Sequence, residues 1–127
     1  MQPRLLKTGI SEYVPQAWDG KNESGANPLG DYVLIMPDLA AEKSSGGIFI
    51  DPVTVDRHTL ASETGILVAM GDQAFMWNAD RSRKWEGTRP ELGQRVYFTR
   101  YAGQVVHGDD GRTYRVMEDK NIGAIKS

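Results

Sequence analysis

The chain has 127 residues, 39% hydrophobic and 25% charged, which suits one domain around one modest core. Fifteen Lys and Arg against 17 Asp and Glu give a formal charge of −2, so the chain as a whole exerts no general pull on nucleic acid or an anionic membrane. It has no cysteine, which excludes disulfide staples, thiolate zinc sites and a cysteine nucleophile, and no apolar run approaches the roughly 20 residues that span a bilayer.

Residues 1–26 show no sustained periodicity. Arg4 and Lys7 open this stretch without an apolar core segment, so it does not read as a secretion signal, and a cytoplasmic location is expected. Tyr13, Val14 and Trp18 are apolar islands in a polar arm, and Gly20 to Gly25 is a polar turn. Such an arm either docks on a neighbouring subunit or frays. Tyr32-Val33-Leu34-Ile35-Met36 predicts a strand, closed by Pro37-Asp38. A polar stretch over 39–45 leads into Gly46-Gly47. Ile48-Phe49-Ile50 follows and is stopped by Asp51-Pro52. On residue pattern alone that tripeptide is a core strand.

Gly65-Ile66-Leu67-Val68-Ala69-Met70-Gly71 predicts a buried strand bounded by glycines. Residues 72–93 are irregular and hold Phe75, Trp77 and Trp85, with Arg81, Arg83 and Lys84 between them. Aromatics interleaved with basic side chains can bind single-stranded nucleic acid. In an acidic chain a solvated loop explains one short cluster better. Arg95-Val96-Tyr97-Phe98 predicts a further strand. Gln104-Val105-Val106 and Thr113-Tyr114-Arg115-Val116-Met117 flank His107-Gly108-Asp109-Asp110-Gly111 and predict a hairpin. Ile122-Gly123-Ala124-Ile125 predicts a short last strand. Fourteen glycines, six prolines and evenly scattered short strands point to an all-β barrel or sandwich.

No catalytic constellation stands out. His58 and His107 lie far apart in turn-like settings, without metal-ligand spacing. Asp109 and Asp110 could pass for paired carboxylates, but a turn explains them more simply. There is no phosphate-binding glycine-lysine loop and no nucleophile elbow. The chain is therefore expected not to be an enzyme and to bind neither metal nor cofactor.

Seven stretches, in collinear order, resemble the GroES-type co-chaperonins. Pro28-Leu29-Gly30-Asp31-Tyr32-Val33-Leu34-Ile35 is similar to that family's opening strand, and Ser44-Ser45-Gly46-Gly47-Ile48-Phe49-Ile50 to its mobile loop. Thr64-Gly65-Ile66-Leu67-Val68-Ala69-Met70-Gly71 is similar to the strand after that loop. Leu92-Gly93-Gln94-Arg95-Val96-Tyr97-Phe98 resembles the "vGD-V-F" strand, with Gln94 where Asp is usual. Arg100-Tyr101-Ala102-Gly103 matches "KYAG", Asp110-Gly111-Arg112-Thr113-Tyr114 matches "dGeeY", and the stretch from Glu118 to Ile125 is similar to the terminal "esDIlAvi". The N-terminal arm is extra, the loop is a few residues longer than in the bacterial housekeeping form, and the Trp/Arg-rich 72–91 segment looks more like phage-borne members.

The resemblance implies an N-terminal extension over 1–27 and a GroES-like β-barrel over 28–127. The barrel would carry a mobile loop at about 39–64 and a roof segment at about 72–91. It implies a homo-oligomeric ring, seven-fold in the family, in which one subunit's last strand pairs with its neighbour's first. Tyr32, Val33, Leu34, Ile122, Ala124 and Ile125 would form that interface. It implies a GroEL-type chaperonin partner, which would bind Gly46, Gly47, Ile48, Phe49 and Ile50 and carry the ATP chemistry. The folding client would be enclosed, a phage capsid protein in a phage-borne member, with Tyr101 turned toward the chamber or packed in the core or interface. A structural virion component, a decoration or adaptor protein on the same fold, is the alternative.

Overall fold

Short β-branched and aromatic runs between glycine turns become strands, as their composition dictates. The computed structural model describes residues 10–42, 59–77, 83–84 and 88–126. Its strands, in chain order, are β1 (Ile10–Val14), β2 (Tyr32–Pro37), β3 (Leu39–Glu42), β4 (Thr64–Met70), β5 (Met76–Trp77), β6 (Arg83–Lys84), β7 (Arg95–Phe98), β8 (Gln104–His107), β9 (Thr113–Glu118) and β10 (Ile122–Ile125). A 3₁₀ turn, Asp119–Asn121, leads into β10. The all-β expectation is met.

Six strands form one antiparallel sheet in the order β10-β7-β4-β2-β9-β8. Val33 and Ile35 of β2 turn to one face, packing with Leu67, Phe75, Val96, Phe98, Met117 and Ile122. Leu34 and Met36 turn to the other, packing with Val68 and Tyr114. A strand buried on both faces reads as an unbroken apolar run, which is how residues 32–36 read in the sequence. Trp18, from the N-terminal arm, packs against this second cluster. The described part of the arm, from residue 10 on, is therefore seated on its own barrel at Trp18.

The predicted hairpin is present, with Val106 opposite Tyr114 and His107 opposite Thr113. Its turn is built by Asp110, whose carboxylate accepts from the Arg112 amide at 3.0 Å and from the Tyr114 hydroxyl at 2.5 Å. His107 is an exposed strand-end residue, while His58 lies outside the described residues. Over the roof segment, Met76 pairs with Lys84 and Trp77 with Arg83 in a small antiparallel ladder. Trp85 and Arg81 lie outside the described residues.

Two expectations need correction. β2 cannot pair with a neighbour's terminal strand, because β4 and β9 already occupy its two edges. Val33 and Leu34 are fully buried within their own chain, so neither is a subunit-interface residue. Tyr32 alone of that trio stays exposed. The loop expected over about 39–64 has a strand at its start, and its middle, residues 43–58, lies outside the described residues. Residues 39–42 form β3, paired with β1, and β4 starts at Thr64.

The hydrogen bond from Tyr114 is the largest cause holding the Asp110 carboxyl below its ordinary value of 3.8. Burial, and then Asp110 itself, push the Tyr114 hydroxyl up to about 12. A depressed carboxyl supports the folded hairpin above its ordinary range and loses that support as pH falls through the lowered value. An NMR titration should therefore place the Asp110 midpoint below 3.8. Tyr114→Phe should move it back up, and an unmoved midpoint would show that the hydroxyl is not the cause.

Candidate functional site

Antiparallel pairing of β2 with β4 brings the two ends of the long 39–63 connection together. Pro37 lies opposite Gly65, and the Asp38 amide donates to the Thr64 carbonyl at 2.9 Å. The Asp38 carboxylate closes the junction. It accepts from the Thr64 hydroxyl at 2.5 Å and from Arg95 Nη2 on β7 at 2.8 Å, so one carboxylate ties three strands. Asp38 is buried and Arg95 partly so, and the charge-assisted bond between them is stronger than a neutral one.

The returning end is held from the opposite side. The Tyr101 amide donates to the Leu60 carbonyl at 2.7 Å, and Arg100 Nε to the Ala61 carbonyl at 3.3 Å. Arg115, on β9, is fully buried. Its guanidinium donates to the carbonyls of Ser62 at 3.0 Å, Ala102 at 2.5 Å and Thr99 at 3.5 Å, and lies 4.8 Å from the Phe98 ring centroid. Burial pushes its pKa down to about 10. The turn that receives it needs unusual backbone. Tyr101 has φ 66 and Gly103 φ 71, and a Cβ at Gly103 would collide with the Val116 carbonyl. That is the physical content of the Tyr-Ala-Gly stretch.

Gly46, Gly47, Ile48, Phe49 and Ile50 lie outside the described residues; what the structure supplies is the pair of anchored roots on either side of them. Tyr101, the chamber-facing candidate, is 61% exposed beside the returning root. The residues that sequence reasoning missed are Asp38, Arg115 and Gln16. Asp38 read as a strand stop and Arg115 as an ordinary polar position in a strand, and neither carries a local signal for its long-range partners.

A second candidate lies at the sheet edge. Among the described residues β10 ends the sheet and pairs with β7 alone. Beside it runs a groove of about 230 Å³ lined by Phe75, Thr88, Pro90, Ile122, Ala124 and Ile125. Ile122 belongs mostly to its own core, whereas Ala124 is exposed and Ile125 half-buried. Leu29, in the turn before β2, is 80% exposed. Among the described residues no three His, Cys, Asp or Glu side chains gather as a metal site, and no helix is long and apolar enough to cross a membrane.

Residues 25–126 match the family model of the chaperonin 10 kDa subunit. The co-chaperonin GroES of Treponema denticola is 32% identical over 98 residues, covering 77% of this chain and 93% of that protein. GroES of Leuconostoc citreum is 34% identical over 102 residues, covering 77% and 95%. A chloroplastic 20 kDa chaperonin of Arabidopsis thaliana is 28% identical over 100 residues, covering 79% of this chain and 36% of that protein.

Replacing Arg115 by Met should remove its bonds to three carbonyls, of which Thr99 keeps the Ala102 amide as a donor at 3.2 Å. Bonds to a charged donor are worth about 1.5–3 kcal/mol each, but relief of a buried charge offsets part of the loss. Urea denaturation at neutral pH should show a net loss of about 1–3 kcal/mol. Equal or greater stability would mean that Arg115 does not anchor the returning root.

Proposed function

The chain belongs to the chaperonin 10 kDa subunit family, and from that membership we propose that it is a co-chaperonin that caps a GroEL-type chaperonin and assists ATP-dependent folding without chemistry of its own. The observation that carries this reading is the collinear match over residues 25–126. Ile48, Phe49 and Ile50, between the two anchored roots, make the partner contact. Each such side chain contributes about 1.5–3 kcal/mol if fully buried against a partner. One contact of this size is weak. Several on one ring engage together through effective concentration, which suits a cap that must come off each cycle.

The ring is seven-fold and acts in the cytoplasm. Its interface uses the β10 edge of one subunit and the segment before β2 of the next. Support comes from the β10 edge, unpaired among the described residues, its apolar groove and the exposed Leu29. A head-to-tail contact of this kind closes into a ring when its rotation divides a full turn. In that ring Tyr101 faces the chamber and the client.

Two measurements test these statements. Ala124→Glu puts a charge on the exposed rim of the groove, outside the core, and should convert the ring to folded monomers of 14.1 kDa in sedimentation. A ring that survives the substitution would move the interface elsewhere. Phe49→Ser should leave the ring whole and abolish its capture by a GroEL-type chaperonin in the presence of nucleotide. Full-strength capture would remove residues 48–50 from the contact and favour a structural role on this fold.

A further inference from the structure

The N-terminal arm lies ahead of the family match, which begins at residue 25. Its first strand, β1, pairs antiparallel with β3, with Tyr13 opposite Ala40 and Val14 opposite Leu39. Among the described residues β3 has no other ladder partner. β3 is also the last described element before the segment that carries residues 48–50. Whatever holds β1 to the barrel therefore holds the exit of that segment.

Gln16 supplies the hold. The β2–β9 ladder runs from Tyr32 opposite Glu118 to Ile35 opposite Arg115 and stops there. Continued in register, it would bring Met36 opposite Tyr114 and then Pro37 opposite Thr113. Pro37 has no amide hydrogen to offer. The Gln16 side chain takes the vacant place, donating from Nε2 to the carbonyls of both Pro37 and Thr113 at 2.8 Å. Its Oε1 accepts from the Thr113 amide at 3.5 Å. One side-chain amide thus extends the ladder past a proline. Two residues on, Trp18 seats the arm on the outer core cluster and donates from Nε1 to the Lys21 carbonyl at 2.8 Å. On the other side of Gln16, burial raises the Tyr13 hydroxyl pKa and the charge of Arg100 pulls it down.

We propose that residues 10–18 are a strap in cis that fixes the root of the partner-binding segment at β3, with Gln16 as its positioning residue, and that this bracing strengthens chaperonin capture. The proposal rests on the co-chaperonin reading above. A root already held in a ladder has lost its conformational freedom before the partner arrives, so engagement has less left to order. The gain recurs at every subunit of a ring.

The test compares the full chain with a chain starting at residue 15, which lacks β1, and with full-length Gln16→Glu. The carboxylate in Gln16→Glu cannot donate to the two carbonyls, and the rest of the arm stays present. Amide exchange at 39–42 should rise by about tenfold or more in both variants, while Leu67 and Val68 in β4 exchange as before. Ring size should be unchanged, and chaperonin affinity measured with ATP should fall by about tenfold or more. Unchanged exchange at 39–42 in Gln16→Glu overturns the strap. Unchanged or tighter binding, with the root loosened, overturns its role in capture. If the unaltered protein captures no chaperonin, the co-chaperonin reading fails, and the strap is then decided by exchange at 39–42 alone.

Discussion

β2 is enclosed on four sides, and the other features take their places from that. β4 and β9 fill its edges, the main core cluster covers one face, and Trp18, Tyr114 and Val68 cover the other. A sheet this small buries a central strand on both faces only if something outside the sheet covers the second one. Here the arm contributes to that cover. The same enclosure places the ends of β2 and β4 side by side, so the long connection between them leaves and re-enters the barrel at a single junction closed by Asp38.

The strands were legible because their signals are local. Glycine-bounded apolar runs found β2, β4, β7, β9 and β10, and the Gly-Asp-Asp-Gly turn found the β8–β9 hairpin. Pairing partners were not legible. Nothing in Tyr32-Val33-Leu34 says whether its edges face β4 and β9 or another subunit, since edge occupancy is decided by the whole topology. β1 and β3 were missed for a related reason. Leu39-Ala40-Ala41-Glu42 has the composition of a helix as much as a strand, and it is extended because β1 lies beside it. Trp18 could not be assigned between docking and fraying, because its contacts are with residues far along the chain.

Buried charge was the least legible feature. Arg115 follows Tyr114 in an alternating strand, and its sequence position gives no hint that it turns inward. It is accommodated because three carbonyls converge on it and the Phe98 ring lies beneath it. Those carbonyls belong to the turns at 59–62 and 99–102, where β-ladder partners run out. The guanidinium, with several donors in one plane, satisfies turns that a lysine could reach only one at a time. The Tyr-Ala-Gly stretch and Arg115 are thus one device: a left-handed turn presents carbonyls inward, and a buried cation collects them.

The two edges of the sheet are unequal, and that inequality bears on assembly. β8 is short, exposes Gln104 and His107, and ends in a turn whose Asp109 amide is taken by the Ser24 carbonyl of the arm. β8 and β10 are both four residues long, so what sets the β8 edge apart is its exposed polar ends, which resist pairing with another chain. β10 offers Gly123 and Ala124 exposed beside an apolar groove. With one edge blunted and the other open, two copies cannot meet edge to edge through the same strand on both sides without leaving the exposed Leu29 surface unused. A contact between unlike surfaces is heterologous, and a heterologous contact yields either a closed ring or an open filament. Closure depends on a constant angle between neighbours. The fixed junction of β2 with β4, and the arm laid across the outer face, hold the segment before β2 in a set position relative to β10. A fixed relation between two unlike contact surfaces turns every copy by the same angle from the last, and whether that angle divides a full turn decides between ring and filament.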